Sequence, residues 1–182
     1  MFKFLHIPVH SGSDRILNAM KREYHREDFV HIVKKFREDI PQITISSDII
    51  CGFPTETALE FEETIRLVEE TRPDVLNISR FWKRPGTPAA LLEQLQGAET
   101  KERSTRLTGL FNQRCVEKNK EWLGWSGRIL IDEAGTKLGT WIGRNVFYKP
   151  IVVCGKYGLG DMPTVKVTSS AAHHLLGTEI LK

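Results

Sequence analysis

Ile45-Ser46-Ser47-Asp48-Ile49-Ile50-Cys51-Gly52-Phe53-Pro54-Thr55-Glu56 is the stretch on which the fold turns. Its first half is rich in β-branched residues, which suits a buried strand over residues 43–50. Gly52 and Pro54 then favour a tight turn, because glycine accepts backbone angles that other residues avoid and proline fixes its own φ. Directly afterwards, Thr57-Ala58-Leu59-Glu60 has the form of a capping box, the start of a helix. Strand, tight turn and helix make up the repeating unit of a parallel α/β fold.

The same unit recurs on both sides. Residues 4–9 read as a buried strand, followed by the turn His10-Ser11-Gly12 and a short helix to Met20, capped by Ser13 or Asp14. A helix over residues 27–39 puts Phe29, Val33, Phe36 and Ile40 on one face, and Pro41 stops it. The helix opening at Thr57 presents Ala58, Phe61, Ile65 and Val68, ends at Pro73, and leads to a third strand over residues 74–79. Repeated strand–helix units imply parallel strands covered by helices. A closed barrel needs more strands than these. The expected fold is therefore a partial, open parallel α/β barrel, and the chain reads as the C-terminal part of something longer.

After the turn Arg84-Pro85-Gly86-Thr87-Pro88, a short helix near residues 89–95 and a long one over 100–123 are expected. From Gly124 the texture changes. β-rich runs at 128–132, 138–143, 146–153, 164–168 and 175–181 are separated by glycines, which predicts a small, roughly five-stranded antiparallel β-barrel. The domain reading is residues 1–121 and 122–182.

Composition narrows the function classes. In 182 residues, 40% are hydrophobic and 27% charged, as in globular proteins. No run approaches the ~20 apolar residues of a membrane span, and the N-terminus lacks the form of a signal peptide, so a cytoplasmic protein is expected. Cys51, Cys115 and Cys154 are too far apart for a zinc or iron–sulfur spacing, and no metal ligands are assigned. The net charge of +3 is uneven: residues 1–100 hold 13 Lys/Arg and 16 Asp/Glu, residues 101–182 hold 13 and 7. The basic half suits a polyanion.

In parallel α/β folds, ligands bind beyond the carboxyl ends of the strands, which puts Asp48, Gly52 and Glu56 in or near that zone. A tight turn with Glu56 favouring a helix N-terminus accounts for the same residues. His10, Ser11 and Ser13 end the first strand on that side, where hydroxyls and backbone N–H groups suit polar ligand atoms. Ser13 or Asp14 also serves as a helix cap. Arg80 and Arg84, near the end of the third strand, suit a phosphate or a carboxylate. In the tail, Arg128, Arg144 and Lys149 suit phosphates and Tyr148 suits stacking on an unpaired base. Arg144, Tyr148 and Lys149 are expected to be exposed near a turn at Gly143/Asn145. No nucleophile–base pair or phosphate loop is present, and no catalytic residue is assigned.

Three blocks together resemble the MiaB-like radical S-adenosylmethionine methylthiotransferases: Leu5-His6-Ile7-Pro8-Val9-His10-Ser11-Gly12-Ser13-Asp14 with Ala19-Met20-Lys21-Arg22-Glu23-Tyr24, then Ile49 through Thr57, then Arg84-Pro85-Gly86-Thr87-Pro88-Ala89. The glycine-rich tail resembles the TRAM domain that ends these proteins, and the wording at 21–24 and 48–52 is closest to the archaeal and eukaryotic branch. The resemblance implies an enzyme that adds a methylthio group to carbon 2 of threonylcarbamoyl-adenosine beside the tRNA anticodon. It implies S-adenosylmethionine and [4Fe–4S] clusters as cofactors. The family's Cys-x3-Cys-x2-Cys motif is absent from this sequence, so the chain by itself is expected to be inactive and to need an N-terminal segment. Carried over by position, His10, Ser11, Ser13, Asp48, Gly52, Glu56 and Arg80 would lie on the cofactor side, although the family more often has glutamine at position 10. Arg84, Arg128, Arg144, Tyr148 and Lys149 would face RNA. The competing expectation is a non-catalytic RNA-binding protein that keeps a remnant half-barrel.

Overall fold

The computed structural model describes residues 1–180. Leu181, the end of the last β-rich run, lies outside them. Two compact units are present: residues 5–111, and residues 1–4 together with 112–182. No helix among the described residues is long and apolar enough to cross a membrane.

The first unit is built on a three-stranded sheet in the order β1 (Phe4–His6), β2 (Thr44–Cys51), β3 (Val75–Arg80). β2 and β3 are parallel, with Asp48 opposite Asn77 and Cys51 opposite Arg80. The β1 side is also parallel: His10 N–H donates to the Asp48 carbonyl (2.8 Å), and Ile50 N–H donates to the His10 carbonyl (2.9 Å). Helices α1 (Asp14–Ala19), α2 (Arg26–Asp39) and α3 (Ala58–Thr71) follow the predicted order. The capping box is real, with Glu60 N–H donating to the Thr57 hydroxyl and Thr57 N–H donating to the Glu60 carboxylate.

Alternation along β2 sets up the site. Ile45, Ser47, Ile49 and Cys51 share one face and are all buried. On the opposite face Thr44 and Ser46 are buried, but Asp48 and Ile50 are partly open. The sheet is thus sealed at the start of β2 and opens at its carboxyl end. Phe29 and Val33 on α2 are buried as expected, but Phe36 is exposed. The helix expected at 89–95 is a shorter 3-10 turn, Pro88–Leu91, and the long helix is α4 (Gly97–Lys120).

The second unit differs from a five-stranded antiparallel arrangement. Among the described residues six strands occur in the order β4 (Ser126–Arg128), β8 (Thr164–Ser170), β9 (Leu175–Glu179), β7 (Pro150–Cys154), β6 (Thr140–Arg144), β5 (Leu130–Ala134), and β7 and β9 run parallel. Ile129 and Ile131 donate backbone bonds to Pro163 and Asp161, so segment 126–134 is tied to the approach to β8 as well as to β6. Trp122, Ile129, Ile131, Ile151, Val165 and Leu175 fill the core, with Trp125, Trp141, Phe147 and Tyr157 packed against it.

Gly12 is a packing constraint. A Cβ there would lie 2.6 Å from the Thr64 Cα and still nearer the Glu63 carbonyl oxygen, both backbone atoms that cannot swing aside. Gly12→Ala is expected to destabilise the protein by about 1–3 kcal/mol, read as a lower urea midpoint with an unchanged slope.

Candidate functional site at the strand ends

The carboxyl ends of β2 and β3 form the wall of a cleft of about 570 Å³. Asp48 lines it. Its carboxylate accepts a bond from Asn77 Nδ2 (2.7 Å) and pairs with His6 Nε2 (3.0 Å), and each oxygen retains a lone pair for a further donor. Ile50, Ser79 and Phe81 add a mixed apolar and polar lining, and Arg22, Arg80 and Arg84 supply positive charge.

His10 reaches this cleft from the segment that follows β1. Its φ is +73°, a left-handed conformation that side chains other than glycine seldom adopt. The two backbone bonds to β2 hold it there. Its Nδ1 is buried without a hydrogen-bond partner. Burial, with the nearby Arg22 charge, holds the imidazole pKa below its usual value. At neutral pH His10 is therefore a neutral ring with an unused buried nitrogen beside the cleft.

Four of the expected ligand residues lie elsewhere. Ser11 is completely buried; its hydroxyl accepts from Ser13 N–H (3.2 Å) and lies 3.5 Å from the Thr64 hydroxyl. Ser13 donates to Glu60 (3.3 Å). These two hydroxyls join α1 to α3 behind the sheet. Gly52 and Glu56 form a closed knot: Gly52 N–H donates to Glu56 Oε2 (3.0 Å), and Arg103 of α4 donates to the same oxygen (2.6 Å) and to the Glu56 carbonyl (3.0 Å). Thr100 packs where a Gly52 side chain would stand. So His10, Asp48, Arg80 and Arg84 line the cleft, and Ser11, Ser13, Gly52 and Glu56 build the frame that shapes it.

Sequence reading missed Arg22, Asn77, Trp82 and Arg103. Asn77 was recoverable, because the parallel register puts it opposite Asp48. Arg103 had no signal, being one cation among many on a basic helix.

The second unit carries its own charged and aromatic surface. Tyr148 has a φ of +63° in a turn organised by Asn145, whose side-chain oxygen accepts from Phe147 and Lys149 N–H (3.0 Å each). Its ring packs against Phe2 and Phe4 (5.1 and 4.8 Å), and the Arg144 guanidinium lies 4.4 Å above it. Arg144 also pairs with Asp132 (2.8 Å). Arg128 is exposed. Lys149, expected to be exposed, is only 7% accessible, and its Nζ reaches Asn119 Oδ1 at 3.4 Å. The alternation of β7 turns it inward, beneath the turn it was expected to decorate. A separate cleft of about 680 Å³ is lined by Ile142, Val152 and Leu176 together with Lys137, Arg144 and His174.

Residues 2–68 match the family model of the Radical SAM superfamily. Over 177 residues the chain is 42% identical to the probable threonylcarbamoyladenosine tRNA methylthiotransferase of Archaeoglobus fulgidus, covering 97% of this chain and 41% of that protein. Over 182 residues it is 41% identical to the threonylcarbamoyladenosine tRNA methylthiotransferase of Drosophila melanogaster, covering 100% of this chain and 32% of that one. By sequence, the chain is related to the radical SAM tRNA methylthiotransferases. It spans about a third to two fifths of the length of these relatives. Among solved structures it resembles the Escherichia coli coproporphyrinogen III oxidase, a radical SAM enzyme, with a TM-score of 0.54 and 13% identity over 99% of this chain and 46% of that one. That likeness supports the α/β fold of the radical SAM type.

Two ion pairs of the frame can be tested. Burial pushes the Glu56 carboxyl above its ordinary value, and Arg103 and the Gly52 N–H pull it back. Arg103→Met is expected to cost about 3–5 kcal/mol at neutral pH, since it strands a buried carboxylate. A carboxyl with a raised folded pKa favours folding at low pH and loses that contribution as pH rises through the folded value. The variant's deficit should therefore shrink as the buffer is acidified, and denaturation at several pH values reads this directly. Glu60 is the opposite case: bonding to Arg15 holds it down to about 2. Glu60→Gln is expected to cost about 1 kcal/mol at pH 7, allowing for solvent screening. That difference should fade as pH drops from about 4.5 toward 2.

Proposed function

We propose that this chain contributes the substrate-facing wall and the RNA-holding portion of a tRNA methylthiotransferase acting on carbon 2 of threonylcarbamoyl-adenosine. What carries this reading is that the likeness to such enzymes runs through both units, well beyond the residues that match the radical SAM superfamily. The cleft supports it. Asp48 is an anionic acceptor held rigid by His6 and Asn77, suited to the hydroxyl or amino groups of S-adenosylmethionine, and Arg80 suits that molecule's carboxylate. When bound, S-adenosylmethionine would supply a radical on one-electron reduction by an iron–sulfur cluster; Asp48 and Arg80 would hold and orient it here.

An iron–sulfur cluster does not fit this chain's own residues. Among the described residues no three His, Cys, Asp or Glu side chains gather as metal ligands. Cys51, the last residue of β2, is buried, and burial pushes its thiol up to about 12, far from the thiolate that iron requires. The second unit, with Arg128, Arg144 and Tyr148 on a β-rich framework, takes the role of a TRAM-like module gripping the tRNA near its anticodon.

Deleting the gene is expected to remove the methylthio group from threonylcarbamoyl-adenosine in cellular tRNA, seen as a mass loss in the nucleoside digest. Reintroducing the gene with Asp48→Ala should fail to restore it. Unchanged modification in the deletion strain would overturn the proposal.

A further inference from the structure

β3 ends at Arg80, and the chain leaves the sheet through Phe81-Trp82-Lys83-Arg84. Phe81 turns inward: its N–H donates to the Cys51 carbonyl (2.8 Å) and its ring meets Phe53 edge-on at 5.2 Å. Trp82, the next residue, has no such cover. It is 82% exposed, whereas Trp122 is buried and Trp125 and Trp141 pack on the core of the second unit. Leaving so large an apolar side chain in water forgoes roughly 2–3 kcal/mol of burial, and nothing in the packing of this unit requires it.

Its surroundings say what covers it. Trp82 lines the mouth of the strand-end cleft with Arg22, Arg80 and Arg84, and Lys83 follows it in the chain. Among the described residues none of these four cations is in an ion pair. Asp48, the acid that lines the cleft, is already engaged by His6 and Asn77. The loop is also set in place: the Thr87 hydroxyl and N–H both donate to the Arg84 carbonyl (2.8 and 3.3 Å). An exposed indole amid unpaired cations is complementary to an unpaired base flanked by phosphates. An apolar protein segment would leave the four charges desolvated and uncompensated.

We propose that Trp82 is a base-stacking platform for single-stranded RNA, with Lys83 and Arg84 taking the adjacent phosphates, so that an unpaired base is held over the cleft containing Asp48 and His10. This rests on the reading above that RNA is the partner. Trp82 acts as a positioning residue for the base, and the cleft beneath it remains free for the second reactant.

The test is binding of this chain to a labelled anticodon stem-loop RNA, and to a blunt RNA duplex of equal length, by fluorescence anisotropy at fixed salt. Native protein, Trp82→Ala and Trp82→Phe are compared, with thermal melts as a check that the exposed substitution leaves folding intact. Trp82→Ala is expected to weaken stem-loop binding about 5- to 150-fold, the range for loss of one base stack, and to leave duplex binding unchanged. Trp82→Phe, which keeps an aromatic face, should retain most of the affinity. If the native chain binds the stem-loop and Trp82→Ala binds it equally well, the stacking role is wrong while RNA remains the partner. Equal weakening toward stem-loop and duplex also overturns it. If the native chain binds neither RNA, the RNA reading fails, and the stacking role with it.

Discussion

The turn after β2 depends on one buried ion pair. Glu56 and Arg103 have side chains that are 1% and 6% accessible, so both charges have left water at a cost of several kcal/mol each. That cost is offset only because every partner is in place. Glu56 accepts from Arg103 and from Gly52 N–H, and Arg103 also serves the Glu56 carbonyl and Glu99. Removing any member strands the others, so the turn has one low-energy geometry. That geometry fixes where β2 ends, and with it the positions of Asp48 and Ile50 on the cleft face.

Backbone of positive φ occurs at this end of the strands as well as at Lys21, Gln42 and Arg72. His10, Gly52 and Thr55 all have positive φ, and all lie where a strand hands over to a helix. Two of the three carry side chains, so each costs about 1–2 kcal/mol relative to a relaxed conformation. His10 is held by its two backbone bonds to β2, and the Thr55 carbonyl by the Arg15 guanidinium (2.7 Å). A strand end built this way is rigid, which suits the role proposed for it, presenting a base and a second reactant at a defined separation.

Burial separated the expected site residues into two groups. Ser11, Ser13, Asp48, Gly52 and Glu56 all lie at strand ends, where ligands bind in such folds. Within a turn, however, a side chain aimed at the cleft and one aimed at the helices differ by a single residue of rotation. Ser11 found Thr64 and Ser13 found Glu60, both on α3 and about fifty positions away in sequence. Lys149 misled for the same reason. A lysine beside a turn reads as solvated, but strand parity carried it under the turn to Asn119.

The sequence by itself determined the order of strands and helices in the first unit, the capping box at Thr57 and the β-rich character of the second unit. These depend on side-chain periodicity, backbone restriction at glycine and proline, and hydrogen bonds between neighbours a few residues apart. It also carried the kinship to methylthiotransferases, because three short blocks kept their order and spacing. Only the tertiary structure decided which polar residues face the cleft, that β7 and β9 pair in parallel, and that Trp82 stands alone in solvent among unpaired cations. Those outcomes depend on contacts between residues distant in the chain, which local pattern does not encode.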